Sequence, residues 1–133
     1  MKVKTLLIYL VSAFLCCSGN LYAQDEKLYS YQELDNKPQF QGGDLNSFTV
    51  WVHKNVTYPS IARDNGVQGR IIIQFTVGPD GVVRDIKAIR SVDITLDKEA
   101  VRVVKSSPQW TPAQKDGNAV ATRVNIPVLF RLQ

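Results

Sequence analysis

Cysteine, histidine and glycine-rich loops, the usual carriers of covalent, metal and phosphate chemistry, are nearly missing from this sequence. The two cysteines, Cys16 and Cys17, both lie in an N-terminal apolar run. A chain cut beyond that run keeps no thiol, which excludes a disulfide framework and a cysteine-built metal site. The single histidine, His53, stands between Val52 and Lys54 with no second imidazole to share a ligand. A lone histidine reads as a surface or capping residue sooner than as a ligand or base. Gly42-Gly43 is too short to cradle a phosphate. The acids fall at turns and helix starts, and Asp80 and Asp116 each precede a glycine, where aspartate serves the turn itself. No basic run exceeds two residues, and charges of both signs are interspersed, so no nucleic-acid footprint is written here. These absences predict a protein that is not an enzyme, with no metal, no cofactor and no nucleic-acid partner.

A long apolar segment is absent as well. Lys2 and Lys4 precede the run Leu6 to Cys17, about 12 residues where roughly 20 are needed to span a bilayer. Small and polar residues follow to Ala23, giving the basic start, short apolar middle and small cut site of a secretory signal over 1–23. An uncleaved anchor is the second reading. Lipidation at Cys16 or Cys17 would need small residues upstream, and Phe14-Leu15 supplies bulky ones. Cleavage after Ala23 leaves 110 residues, one domain with a modest core, and lowers the net charge from +4 to +2 by removing two lysines.

What remains is patterned. Residues 24–43 are largely polar with no clear period and end at Gly42-Gly43, which predicts a flexible entry segment. Asp44 can cap a helix over Leu45 to Lys54, with Leu45, Phe48, Trp51 and Val52 as its apolar stripe. Tyr58-Pro59 breaks it and opens a short helix ending near Asn65, with Gly66 as its left-handed stop. Ile71, Ile73, Phe75 and Val77 then alternate as one face of a strand. Gly78-Pro79-Asp80-Gly81 turns the chain into a second strand, Val82 to Ser91. Asp93 or Thr95 caps a helix over Leu96 to Ser106, which Pro108 ends. Ala121 to Leu132 is the clearest strand, with Thr122, Val124, Ile126, Val128, Phe130 and Leu132 on one face. The expected fold class is α+β, a three-stranded antiparallel sheet with two or three helices packed on one face, over residues 44–133. Pro127 cannot donate to a ladder, so the last strand is expected at an edge with that nitrogen turned outward.

The order Tyr58-Pro59, Gly66, Gly69-Arg70, Asp80-Gly81, Leu96-Asp97, Pro108 to Ala113, Asp116-Gly117 and Pro127 to Leu132 resembles the TonB C-terminal domain family. The resemblance implies a periplasmic domain that pairs with the N-terminal peptide of TonB-dependent outer-membrane receptors by strand addition, in energy-coupled transport. On this sequence the family's peptide-facing positions are Asn55, Val56, Thr57, Tyr58 and Pro59, with Arg123, Asn125, Pro127, Val128, Leu129 and Arg131 of the last strand. Tyr58-Pro59 also has a purely structural reading, as a rigid entry to the short helix. Trp110 is expected to pack the core at the helix-to-strand corner. Family transducers carry a retained membrane helix and a proline-rich stalk, and neither is evident, Pro38 being alone in its segment. Two roles therefore stand side by side. If anchored in the inner membrane, the protein would face the periplasm beside a proton-channel complex. If cleaved, it would be a free periplasmic interaction or scaffolding module using the same edge, on another ligand or on itself as a homodimer.

Overall fold

Strands β2 (Gly69–Val77) and β5 (Asn118–Phe130) run antiparallel through nine register pairs, from Gly69 opposite Phe130 to Val77 opposite Thr122. They form the spine of the fold in a computed structural model of the chain, which describes residues 27–133. Strict alternation sends Ile71, Ile73, Phe75 and Val77 to the same side as Val124, Ile126, Val128 and Phe130, and all eight are buried. The opposite side carries Arg70, Ile72 and Gln74 across from Leu129, Pro127 and Asn125.

β3 (Val83–Arg90) returns along the other side of β2 after a tight turn. In that turn the Asp80 carboxylate accepts the Val82 N–H at 3.1 Å, and Gly81 adopts φ +81°. A side chain at Gly81 would meet the Trp110 carbonyl oxygen at 2.0 Å, so the turn and the buried Trp110 require glycine here. A second hairpin joins β4 (Ala113–Lys115) to β5 through Asp116 and Gly117, both at positive φ, the geometry that matches strand twist.

Helices α1 (Leu45–Asn55), α2 (Ser60–Asp64) and α3 (Ile94–Lys105) provide the partner layer for the apolar side of the sheet. Asp44 caps α1 by accepting the Ser47 N–H at 3.0 Å, and Asp93 caps α3 through Thr95 at 2.9 Å. α1 buries Phe48 and Val52; α3 buries Leu96, Ala100, Val103 and Val104. Trp110 closes the corner, 4.8 Å from Phe48 and 5.9 Å from Phe75 between ring centres. The expected α+β class, its helices and its three main strands are present, and Gly66 ends α2 at φ +66° as its position implied.

The strand count needs correction. The sheet has five strands, in the order β1-β5-β2-β3 with β4 also on β5. β1 (Leu28–Tyr29) lies parallel to β5, with Leu28 opposite Ala121 and Tyr29 opposite Thr122, so the sheet is mixed. Strands of two and three residues are too short to show a period of two, and β1 finds its partner 93 residues away in sequence. The 27–43 part of the entry segment is correspondingly tied down. Asn36 and Gln39 bridge to Gln114 and Thr111, and Phe40 enters the core. The signal sequence expected over 1–23 and its cut after Ala23 lie outside the described residues. Among the described residues, no helix is long and apolar enough to cross a membrane.

Candidate partner-docking edge

The two flanks of β5 differ. One is paired to β2 from Thr122 to Phe130. The other carries β4 at Asn118 to Val120, then β1 at Ala121 and Thr122, and no further strand among the described residues. β1 stops where the Thr122 hydroxyl donates to the Tyr29 carbonyl at 2.9 Å. The chain then peels away into a 3-10 turn, Tyr31–Glu33. From Arg123 onward this flank of β5, the lane, has no strand beside it among the described residues. A groove of about 530 Å³ lies at the start of this stretch, lined by Tyr29, Tyr31 and Leu45 together with Gln74, Arg123 and Asn125. β5 is thus interior over its first part and a border strand from Arg123.

The far end of the lane is closed by a side chain from α1. The Leu129 N–H donates to His53 Nε2 at 3.0 Å, and His53 Nδ1 lies 2.8 Å from the Thr49 carbonyl. A carbonyl only accepts, so Nδ1 carries the proton and the ring is the neutral tautomer that can receive Leu129. That bond also fixes the phase of the strand. Because Leu129 aims outward, alternation sends the backbone groups of Arg123, Asn125 and Pro127 outward too, while Val124, Ile126 and Val128 pair with β2. Pro127, which has no N–H, therefore costs the ladder nothing, as its edge position requires.

β3 forms the opposite border of the sheet, and it is blunt. Its pairing with β2 shifts register twice, and Asp85 sits at φ +54° within the second shift. Bulges and charged side chains such as Arg84, Asp85 and Lys87 are the devices that stop a border strand from recruiting another. By contrast, β5 has outward backbone at Arg123 and Asn125 with no strand partner among the described residues.

The residues expected to face a partner separate into two groups. Arg123 and Asn125 are exposed on this lane, with Pro127 partly exposed and Leu129 39% exposed. Arg131 is exposed just beyond the strand. Val128 is different: it is fully buried and faces Ile71, so neither its side chain nor its backbone meets the lane.

The Asn55 to Pro59 segment is occupied by internal work. The Asn55 amide donates to the Trp51 carbonyl at 2.7 Å, closing the end of α1. Val56 is half-buried against the core. The Thr57 N–H donates to Glu99 at 2.7 Å, and Pro59 precedes α2. The Tyr58 hydroxyl donates to the Val67 carbonyl, and its ring meets Phe130 edge-on at 5.5 Å. This loop thus abuts the end of β5 and braces it there. Glu99 anchors the loop from α3. Its two bonds from Arg102, at 2.8 and 2.7 Å, hold its carboxyl below the ordinary value against the opposing effect of burial, and the Thr57 N–H adds to the same effect.

His53, Tyr29, Tyr31, Leu45 and Gln74 complete the lane and were not among the expected site residues. A lone histidine in sequence reads as a surface or cap residue, and only the tertiary position of α1 aims the His53 ring at Leu129. Among the described residues, no group of three or more histidine, cysteine, aspartate or glutamate side chains is placed to hold a metal.

Comparison with known proteins bears on this geometry. The family model described as Gram-negative bacterial TonB protein C-terminal matches residues 54–132. Protein TonB of Helicobacter pylori (strain ATCC 700392 / 26695) is 31% identical over 100 residues, covering 71% of this chain and 33% of that protein. Protein TonB of Pseudomonas aeruginosa is 28% identical over 76 residues, covering 57% of this chain and 22% of that protein. The chain thus matches about a third or less of the length of these relatives. The solution structure of the H. pylori TonB C-terminal domain (residues 179-285) aligns with a TM-score of 0.55 at 23% identity, covering 67% of this chain and 80% of that one. That of the P. aeruginosa domain gives 0.53 at 23% identity, covering 81% and 97%. At that identity the structures speak to the fold, and they share it. With the family model matching well over half of its length, the chain belongs to the TonB C-terminal domain family.

Proposed function

We propose that this domain works in the periplasm and captures the N-terminal peptide of TonB-dependent outer-membrane receptors by strand addition, as part of energy-coupled transport. The observation that carries the reading is the lane beyond Tyr29, where β1 has begun a strand beside β5 and no further strand continues it among the described residues. An extended peptide entering there continues the line of β1 and meets outward backbone at Arg123, Asn125 and Pro127. Capture needs no covalent chemistry. Backbone bonds spaced along one strand share a load applied along it, which suits a domain that passes force or conformational change to a receptor plug. If the N-terminal segment is an anchor, a proton-channel complex of the inner membrane is the partner at that end.

The test is Asn125→Pro, which removes an outward donor and leaves the β2 ladder intact. Val128→Pro would not serve, because Val128 pairs with Ile71 and its loss breaks the spine. Wild-type domain titrated with synthetic N-terminal peptides of the organism's outer-membrane receptors should bind, and the variant should bind about tenfold more weakly, the worth of one backbone bond. A variant folded by circular dichroism that bound with unchanged affinity would remove the lane from consideration. The same backbone suits a second copy of the chain, as in a free interaction module; sedimentation equilibrium of the peptide-free domain separates that reading.

A further inference from the structure

We infer that the captured segment alternates apolar and acidic residues, and that the helix-free face of the sheet selects its carboxylates. The inference rests on docking in the β5 lane and specifies what docks there. A strand laid beside Arg123 to Leu129 sends alternate side chains to opposite faces of the sheet. One set enters the groove that Tyr31 and Leu45 line together with Val124. On the other face the strand's side chains stand opposite Arg123, Asn125 and Pro127, at the separation of a cross-strand pair.

That second face is one-sided in charge. Register places Arg90 across from Ile72, Lys87 across from Gln74, and both Arg84 and Arg123 across from Thr76, with Arg70 opposite Leu129. Five cations thus spread over three strands. The one acid on these strands, Asp85, stands at the bulge 3.8 Å from Arg84. Arg123, the cation nearest the lane, is exposed and forms no ion pair among the described residues. Two acids outside the sheet, Glu33 and Asp44, each accept a nearby backbone N–H, and neither lines the groove. Glu33 holds the Ser30 N–H at 2.8 Å, and Asp44 holds the Ser47 N–H at 3.0 Å. An incoming carboxylate therefore meets Arg123, which has no acidic partner among the described residues, with Lys87 behind it adding positive field, whereas an incoming lysine meets like charge. Because the lane is at the surface, salt screens both effects.

The probe is a fluorescein-labelled, end-capped eight-residue peptide alternating valine with glutamate, compared with versions carrying glutamine or lysine in place of glutamate. Anisotropy titrations use the described domain in its wild-type, Arg123→Gln and Asn125→Pro forms. The glutamate peptide should bind wild type about tenfold tighter than the lysine peptide at low salt, with the gap closing in 0.5 M NaCl. Arg123→Gln should narrow that preference, and Asn125→Pro should weaken all three peptides. Equal binding of glutamate and lysine peptides, each weakened by Asn125→Pro, would overturn the charge selection while leaving the docking lane intact. A glutamate preference indifferent to Asn125→Pro would overturn both. Retention on phosphatidylglycerol vesicles, lost in Arg123→Gln, with no peptide preference, would assign the basic face to lipid and overturn the inference.

Discussion

His53 decides where the lane ends. Its neutral ring holds the Leu129 N–H, the outward donor nearest the end of the strand, so a docking segment is confined to the stretch before it. Replacing His53 with alanine should release that donor and lengthen the usable border by one bond. Peptide capture is expected to strengthen by about 0.5–1 kcal/mol, with a small loss of domain stability, both measurable by calorimetry. Gly81 is as demanding for a different reason. Gly81→Ala adds a methyl group against the Trp110 carbonyl at a φ that side chains avoid, so either the turn or Trp110 must move. A loss of roughly 2 kcal/mol or more in urea unfolding is expected.

At the scale of elements, α3 governs the loop between α1 and α2. Glu99 links Thr57 to Arg102, and its carboxyl sits below the ordinary 4.5 because the folded state prefers it charged, chiefly through Arg102. The sign follows from that lowering. The stabilisation is complete above the unfolded carboxylate's range and fades as pH falls through the lower, folded value. Glu99→Gln should therefore cost about 1–2 kcal/mol near neutral pH, and its difference from wild type in urea unfolding should shrink under acid. The elements themselves were largely visible beforehand. Ile71 to Val77 and Val124 to Phe130 alternate without interruption, and Asp44 and Asp93 announce helix starts, because each of these signals is local. β1 and β4 were not visible, since two or three residues have no period and their partners are set by chain geometry. The site divides the same way. Pro127 lies in the part of β5 without a second strand neighbour, although β1 and β4 flank the strand's start and place β5 inside the sheet, whereas His53 and Tyr31 reach this stretch only through tertiary placement. The apolar face of Val128 is legible from alternation, but its β2-facing backbone follows from a phase that the residue list alone does not impose.

For the whole molecule, the core extends beyond the stretch matched by the family model, which begins at residue 54. Phe40 lies 4.9 Å from Phe48 and 5.5 Å from both Trp51 and Trp110, centre to centre, and is 3% exposed. Phe40→Ala should cost about 3–4 kcal/mol through the cavity it leaves, seen as a lowered midpoint in thermal unfolding. A full retention of stability would mean that the segment before α1 is decoration. The blunted β3 border has its own outcome for assembly. Two copies meeting lane to lane would each use up the receptive margin of β5, and the β3 margin left among the described residues is warped and charged. Growth along the hydrogen-bonding direction then halts at a pair, so crowding this domain at high local concentration yields closed couples instead of fibres.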